Sequence, residues 1–284
     1  ALTVAFGIHL ACRDHLLRQV FGEDALARQN RLIARTKDGQ KRLQAFENPV
    51  HRGFARLKER LLLPGITAHY VLRKRKIRDA SHAAIADGMT QVVVLGAGFD
   101  TATIGLAETR PDVRAFEIDT PATIEAKRRA ALGMIPTNLT LIAADLSEVE
   151  LADLLCQLPG FDSKAPTLFV CEGLLMYLSS EDVAKSLRGL REAAPAGARL
   201  VMTAVPPMRG PDSNVPAILR LYLRWLGEPL VWMEPKATIN AFLSMHGWQA
   251  REVMDTRRMQ TRYAPDRPDI GLHRGEYCVV AEAL

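Results

Sequence analysis

Three acidic residues follow a glycine turn at nearly even intervals. The turn is Gly96-Ala97-Gly98-Phe99-Asp100-Thr101, and the residues are Asp119, Asp145 and Glu172. Carboxylates accept hydrogen bonds from hydroxyls and amines. A carboxylate about 20 residues beyond a glycine turn sits where it can take the two hydroxyls of a ribose. Asp119 stands at that distance from Gly98. Glycines behind a strand let the backbone approach a ligand with no Cβ in the way. A plainer use competes with this one, because Asp119-Thr120-Pro121 is also a good helix start. Glu117 shares the strand face of Asp119, so one carboxylate is available for each task.

The elements around these residues explain the regularity. Gln91–Leu95 is a short apolar, β-branched run ending at the glycine turn. Val113–Ile118 ends at Asp119, Leu139–Ala143 just before Asp145, Thr167–Cys171 at Glu172, and Arg199–Ala204 at Val205-Pro206-Pro207. Stretches of helical length separate the runs, a pattern that predicts βαβ units and a parallel sheet with helices on both faces. The three carboxylates are then expected at successive strand ends, facing one crevice, where open α/β sheets bind ligands. Trp248–Met254 and Glu276–Ala283 read as two further strands closing the sheet as a hairpin-like edge pair joined by a long polar loop. Lys236–His246 reads as a helix ended by Gly247. Before Gln91 no strand is evident. Leu57, Leu61, Leu62 and Ile66 have helical spacing broken at Pro64-Gly65, and a second helix is expected from about Thr67 to Ala86.

An acidic crevice limits the choice of ligand. Three carboxylates would repel the pyrophosphate of a dinucleotide, and Thr101 stands where that fingerprint has its third glycine. S-adenosylmethionine suits the crevice better: its ribose diol and adenine amine donate to carboxylates, its amino group and sulfonium are cationic, and only its own carboxylate needs a cation. The stretch Arg73-Lys74-Arg75-Lys76-Ile77-Arg78 is the densest positive charge. Most of it reads as a solvated helix face, with one arginine able to hold a ligand carboxylate through its fork. No Walker A lysine motif and no G-x-S-x-G elbow is present, which argues against ATP hydrolysis and a hydrolase triad.

The chain has 284 residues, 48% hydrophobic and 24% charged, with a net charge of +5, which excludes a disordered chain and allows a large core. The charge is too mild to argue for a nucleic-acid or membrane partner. Cys12, Cys156, Cys171 and Cys278 are widely spaced with no CxxC or Cys/His cluster, so neither a disulfide framework nor a metal site is expected. No apolar run is long enough for a membrane span, and Ala1–Cys12, interrupted by His9 and lacking a basic start, does not read as a signal peptide. A cytoplasmic protein is the expectation.

These pieces resemble the leucine carboxyl methyltransferase family of class I S-adenosylmethionine-dependent methyltransferases, which includes bacterial polyketide O-methyltransferases. The matching segments are LRKRKI (72–77), VVVLGAGFDT (92–101), FEIDTP (116–121), AADL (143–146) and CEGLLMYLSSEDV (171–183), with a weaker match at GEPL (227–230) and His246-Gly247-Trp248. The resemblance implies a Rossmann-like α/β fold with a mostly parallel seven-stranded sheet. It also implies that Arg73 holds the cofactor carboxylate, Gly96 and Gly98 line the methionine moiety, and Asp119 takes the ribose hydroxyls. Asp145 and Leu146 would frame the adenine, Glu172 would face the cofactor amino group, and Tyr177 would border the acceptor. The chain departs from the family where Arg78 stands for an acidic residue, where Ala102-Thr103-Ile104-Gly105 replaces a segment that often carries an arginine, and over the first 60 or so residues.

The expected organisation is a helical cover over 1–88 and a methyltransferase domain over 89–284, with a lid insertion at about 208–235 carrying Tyr222, Trp225 and Trp232, of which at least two are expected to pack in the core or lid and the other is available to an apolar acceptor. The expected reaction is methyl transfer to a carboxylate or hydroxyl oxygen of a small-molecule or peptide acceptor. For a hydroxyl, Glu172, His69 and Tyr177 are the candidate bases. A nicotinamide-dependent oxidoreductase and a non-catalytic nucleic-acid-binding module are the alternatives.

Overall fold

The computed structural model describes residues 2–195, 197–208, 213–215 and 230–284. Six helices come first: α1 (Leu2–Ala11), α2 (His15–Phe21), α3 (Glu23–Ala34), α4 (Gly39–Ala45), α5 (Pro49–Leu62) and α6 (Ile66–Ala86). The alternating part follows as β1 (Gln91–Leu95), α7 (Ala102–Thr109), β2 (Arg114–Asp119), α8 (Pro121–Ala130), β3 (Leu139–Ala143), α9 (Leu151–Gln157), β4 (Thr167–Cys171), α10 (Ser180–Ala193) and β5 (Ala198–Ala204). Among the described residues it closes with α11 (Ile239–Ser244), β6 (Trp248–Asp255), α12 (Thr256–Tyr263) and β7 (Tyr277–Ala283).

The strands form one seven-stranded sheet in the order β3-β2-β1-β4-β5-β7-β6. β1 to β5 are parallel, and β7 runs antiparallel between β5 and β6, pairing Ala204 with Tyr277. This is the mostly parallel α/β sheet that the strand runs predict, with the seven strands that the resemblance implies. The central strands are buried on both faces because each packs against helices on either side, which is why they read as continuous apolar runs. On one face α9, α10 and α11 cover Phe169, Leu200 and Trp248. On the other, α6 and α7 cover Val92, Leu168 and Val201.

Three details differ from the sequence reading, and the packing of Trp232 agrees with it. The segment between β6 and β7 is not only a loop: it contains α12, started by Asp255, whose carboxylate accepts from the Arg258 amide. The helix expected over Lys236–His246 is confined to Ile239–Ser244. Trp232 is buried against Phe242, with ring centroids 5.5 Å apart, so it packs in the core; Tyr222 and Trp225 lie outside the described residues, as does most of the expected lid. The basic stretch of α6 is not a solvated face. None of its five cations is exposed, because α6 runs through the molecule between α1, α2, α12 and the sheet, and each cation has found an acceptor there.

The turn into α6 depends on glycine. Gly65 has φ +75° and caps the helix, and a Cβ on it would lie 1.9 Å from the Gly271 carbonyl oxygen. The Glu59 carboxylate accepts from the amide and the hydroxyl of Thr67, fixing α5 to the start of α6. By contrast α5 buries no residue, and its Val50, Phe54, Leu57 and Leu61 are exposed.

Candidate functional site

A cavity of about 1050 Å³ opens at the carboxyl ends of β1, β2 and β4, beneath α6 and the N-terminal helices. Its lining includes Arg73, Gly96, Gly98, Asp119, Glu172 and Tyr177, so six of the eight residues singled out by sequence share one space. Asp145 and Leu146 are outside that lining. The Asp145 carboxylate instead accepts from the Ser147 amide (3.0 Å) and hydroxyl (2.7 Å), bonds that hold it below the usual carboxylate range, and Leu146 packs on the core. The crevice therefore holds two of the three predicted strand-end carboxylates.

The glycine turn and Asp119 form one unit. Gly96 has φ +66°, and an added Cβ would lie 3.0 Å from Leu174, so only glycine leaves this wall open. The Gly98 amide donates to Asp119 Oδ2 at 2.7 Å, and the Thr120 amide donates to Oδ1 at 2.7 Å. Asp119 thus braces the turn and the link that leads into α8, whose N-cap is Thr120 with no side-chain capping bond. Glu117 takes no part in the cavity: it is fully buried and paired with Lys127 at 2.6 Å, with its pKa raised by burial.

The cavity wall below α6 holds an array of buried charge. Arg73 Nη2 lies 2.8 Å from Glu172 Oε1, and Nη1 donates to Glu276 Oε2. Lys74 Nζ lies 2.8 Å from Glu172 Oε2 and 2.7 Å from Asp100 Oδ2. Asp100 also accepts from the Thr101 and Ala102 amides at the start of α7. Burial alone would raise the Asp100 pKa, but Lys74 holds it below the ordinary range. Burial would likewise raise Glu276, yet Arg73 and His69 keep it well below that range. Among the described residues Arg73 Nε is buried with no hydrogen-bond acceptor, and its guanidinium carbon lies 5.3 Å from the Tyr70 ring centre. An unsatisfied N–H on a cation in a cavity wall suits an anionic ligand group.

His69 is not placed to act as a base on an acceptor. It is fully buried and absent from the cavity lining, with Nδ1 2.7 Å from Thr256 Oγ1 and Nε2 2.9 Å from Glu276 Oε2. His273 does line the cavity, and burial pulls its pKa down to about 3, so it is neutral. Glu276, Lys74, Asp100 and His273 have no role in the sequence reading. Glu276 is hidden there because it stands at the start of a strand, whereas parallel strands meet a ligand at their ends. β7 is antiparallel, so its start lies on the ligand side.

The leucine carboxyl methyltransferase family model matches residues 1–191. A protein of Mycolicibacterium gilvum named "Putative S-adenosyl-L-methionine-dependent methyltransferase" is 32% identical over 210 residues, 67% of this chain and 65% of that protein. One of the same name from Mycobacterium marinum is 32% identical over 63% of this chain and 62% of its own length. The chain thus spans just under two thirds of these relatives. Among solved structures, a duf574 family protein from Streptomyces avermitilis superimposes with a TM-score of 0.63 at 16% identity, covering 83% of this chain and 91% of that one, a likeness of fold.

Proposed function

The chain belongs to the leucine carboxyl methyltransferase family, and from that premise we propose that it is an S-adenosylmethionine-dependent methyltransferase acting on an oxygen, carboxylate or hydroxyl, of a small-molecule or peptide acceptor. The observation that carries the reading is the strand-end cavity itself. It combines an open glycine turn, a braced strand-end carboxylate at Asp119 and an arginine with an uncommitted N–H. These groups fit the cofactor's diol and its carboxylate.

When bound, the cofactor supplies a methyl group on a cationic sulfur. The chain's own residues hold and shield. Arg73 would take the cofactor carboxylate through Nε, Gly96 and Gly98 would line the methionine portion, and Asp119 would accept from the ribose hydroxyls. Glu172 would face the amino group, with Asp145 and Leu146 bounding the adenine one strand further on. Rate then comes mainly from aligning the acceptor oxygen and excluding water, with the helices of 1–88 as the cover. A carboxylate acceptor is already ionised and needs no base. For a hydroxyl, Tyr177 at the cavity rim is the better placed of the candidates, since Glu172 is engaged by two cations.

Calorimetric titration with S-adenosylhomocysteine and with NADH tests the reading. Binding of the first without the second is expected. NADH binding without S-adenosylhomocysteine binding would replace it with the oxidoreductase alternative.

A further inference from the structure

The hydrogen bonds around His69 determine its proton count. Thr256 has one hydroxyl hydrogen, and it is donated to the His273 carbonyl oxygen, which can only accept. At the 2.7 Å contact with His69 the hydroxyl is therefore the acceptor, and Nδ1 carries a proton. On the other side Glu276 is kept ionised by Arg73, so it too can only accept, and Nε2 carries a proton. Both ring nitrogens donate, which makes His69 an imidazolium with no exposure to solvent.

The surrounding charges agree with this count. With His69 protonated the array contains three cations, His69, Arg73 and Lys74, and three carboxylates, Asp100, Glu172 and Glu276. With His69 neutral it would hold a surplus buried negative charge beside the site proposed for an anionic ligand group, an arrangement that low-dielectric surroundings penalise.

Glu276 joins these parts. Its Oε2 accepts from Arg73 Nη1 and from His69 Nε2, while Glu172 takes Nη2 of the same guanidinium. Two carboxylates, one just after β4 and one just before β7, thus fix the plane of the arginine fork and leave Nε uncommitted. We propose that Glu276 is a positioning residue: held by a protonated His69, it orients Arg73 toward the ligand carboxylate. This rests on the reading that Arg73 meets that carboxylate.

The test combines imidazole nitrogen NMR with calorimetric titration of S-adenosylhomocysteine. In the unaltered protein at pH 7, His69 is expected to give the imidazolium signature. The groups facing His69 are Glu276, Thr256 and His273, with Tyr70 and Arg73 on its own helix, and Glu172 lies beyond Arg73. Glu276→Gln should lose both the imidazolium at pH 7 and at least tenfold in affinity, and Glu276→Asp should regain part of each. A neutral His69 at pH 7 overturns the proposal without needing any variant, and so does a folded Glu276→Gln protein that binds with unchanged affinity. Failure of the unaltered protein to bind S-adenosylhomocysteine at all would instead overturn the methyltransferase reading, and the NMR result would stand apart from it.

Discussion

Asp119 Oδ2 accepts a hydrogen bond from the Gly98 amide at 2.7 Å, joining the end of β2 to the turn that ends β1. The two residues belong to neighbouring parallel strands and the turn between them in the chain. The carboxylate therefore shapes the glycine turn as well as facing the cavity.

Asp119→Ala should weaken S-adenosylhomocysteine binding by about 1–3 kcal/mol, the usual cost of a lost charge-assisted hydrogen bond. Isothermal calorimetry reads this directly. Unchanged affinity would mean that Asp119 serves the turn alone.

Arg73→Ala should both abolish ligand binding and destabilise the fold by about 3–5 kcal/mol, because it leaves Glu172 and Glu276 facing each other's charge in a buried site. Lys76→Ala should leave affinity unchanged: Lys76 pairs with Glu252, away from the cavity, and Glu252 keeps Arg262 nearby at 3.5 Å. Denaturant unfolding and ligand titration of both variants separate a specific role from a diffuse positive field.

Gly65→Ala should lower stability by at least about 1–2 kcal/mol from the left-handed backbone alone, with a further loss because the new methyl meets the Gly271 carbonyl oxygen. A fall in the thermal midpoint checks it. The same change at Gly88, whose φ is +99° but whose surroundings are open, should cost only the backbone part.

Stability should fall as pH drops below about 6.5 toward 3. His273 is held neutral in the fold by burial, with a pKa of about 3 against 6.5 for an ordinary histidine. Between those values the unfolded chain binds a proton that the native state refuses, so stability rises with pH by up to about 1.4 kcal/mol per unit. Burial shifts His9, His82 and His246 in the same direction. The diagnostic is therefore the slope: His273→Asn should flatten the dependence of unfolding free energy on pH between 6.5 and 4.5, above the window in which Glu276 takes up its proton.

Much of the sheet is legible because buried parallel strands leave short β-branched runs, and β1 to β5 are of this kind. The strand-end residues Asp119 and Glu172 are legible for the same reason, since a strand end is a place in the sequence as well as in space. The α6 cations read as solvated because their partners, Glu172, Glu252 and Glu276, come from strands or strand edges far along the chain, and no local pattern reports so distant a pairing. Asp145 groups with the crevice on spacing alone, but local bonds to Ser147 claim its carboxylate. Finding Glu276 requires knowing that β7 runs backwards.

That reversal has a consequence for how the protein is made. β7, the last described strand, is inserted inside the sheet rather than added at its edge. A ribosome that has released β1 to β5 has produced a sheet whose β5 flank is still unpaired and sticky, and α6 carries His69 and Arg73 with no Glu276 to receive them. The ligand pocket is thus assembled from α6 and from a strand released well after it, so a nascent chain should remain incompetent for ligand until β7 emerges.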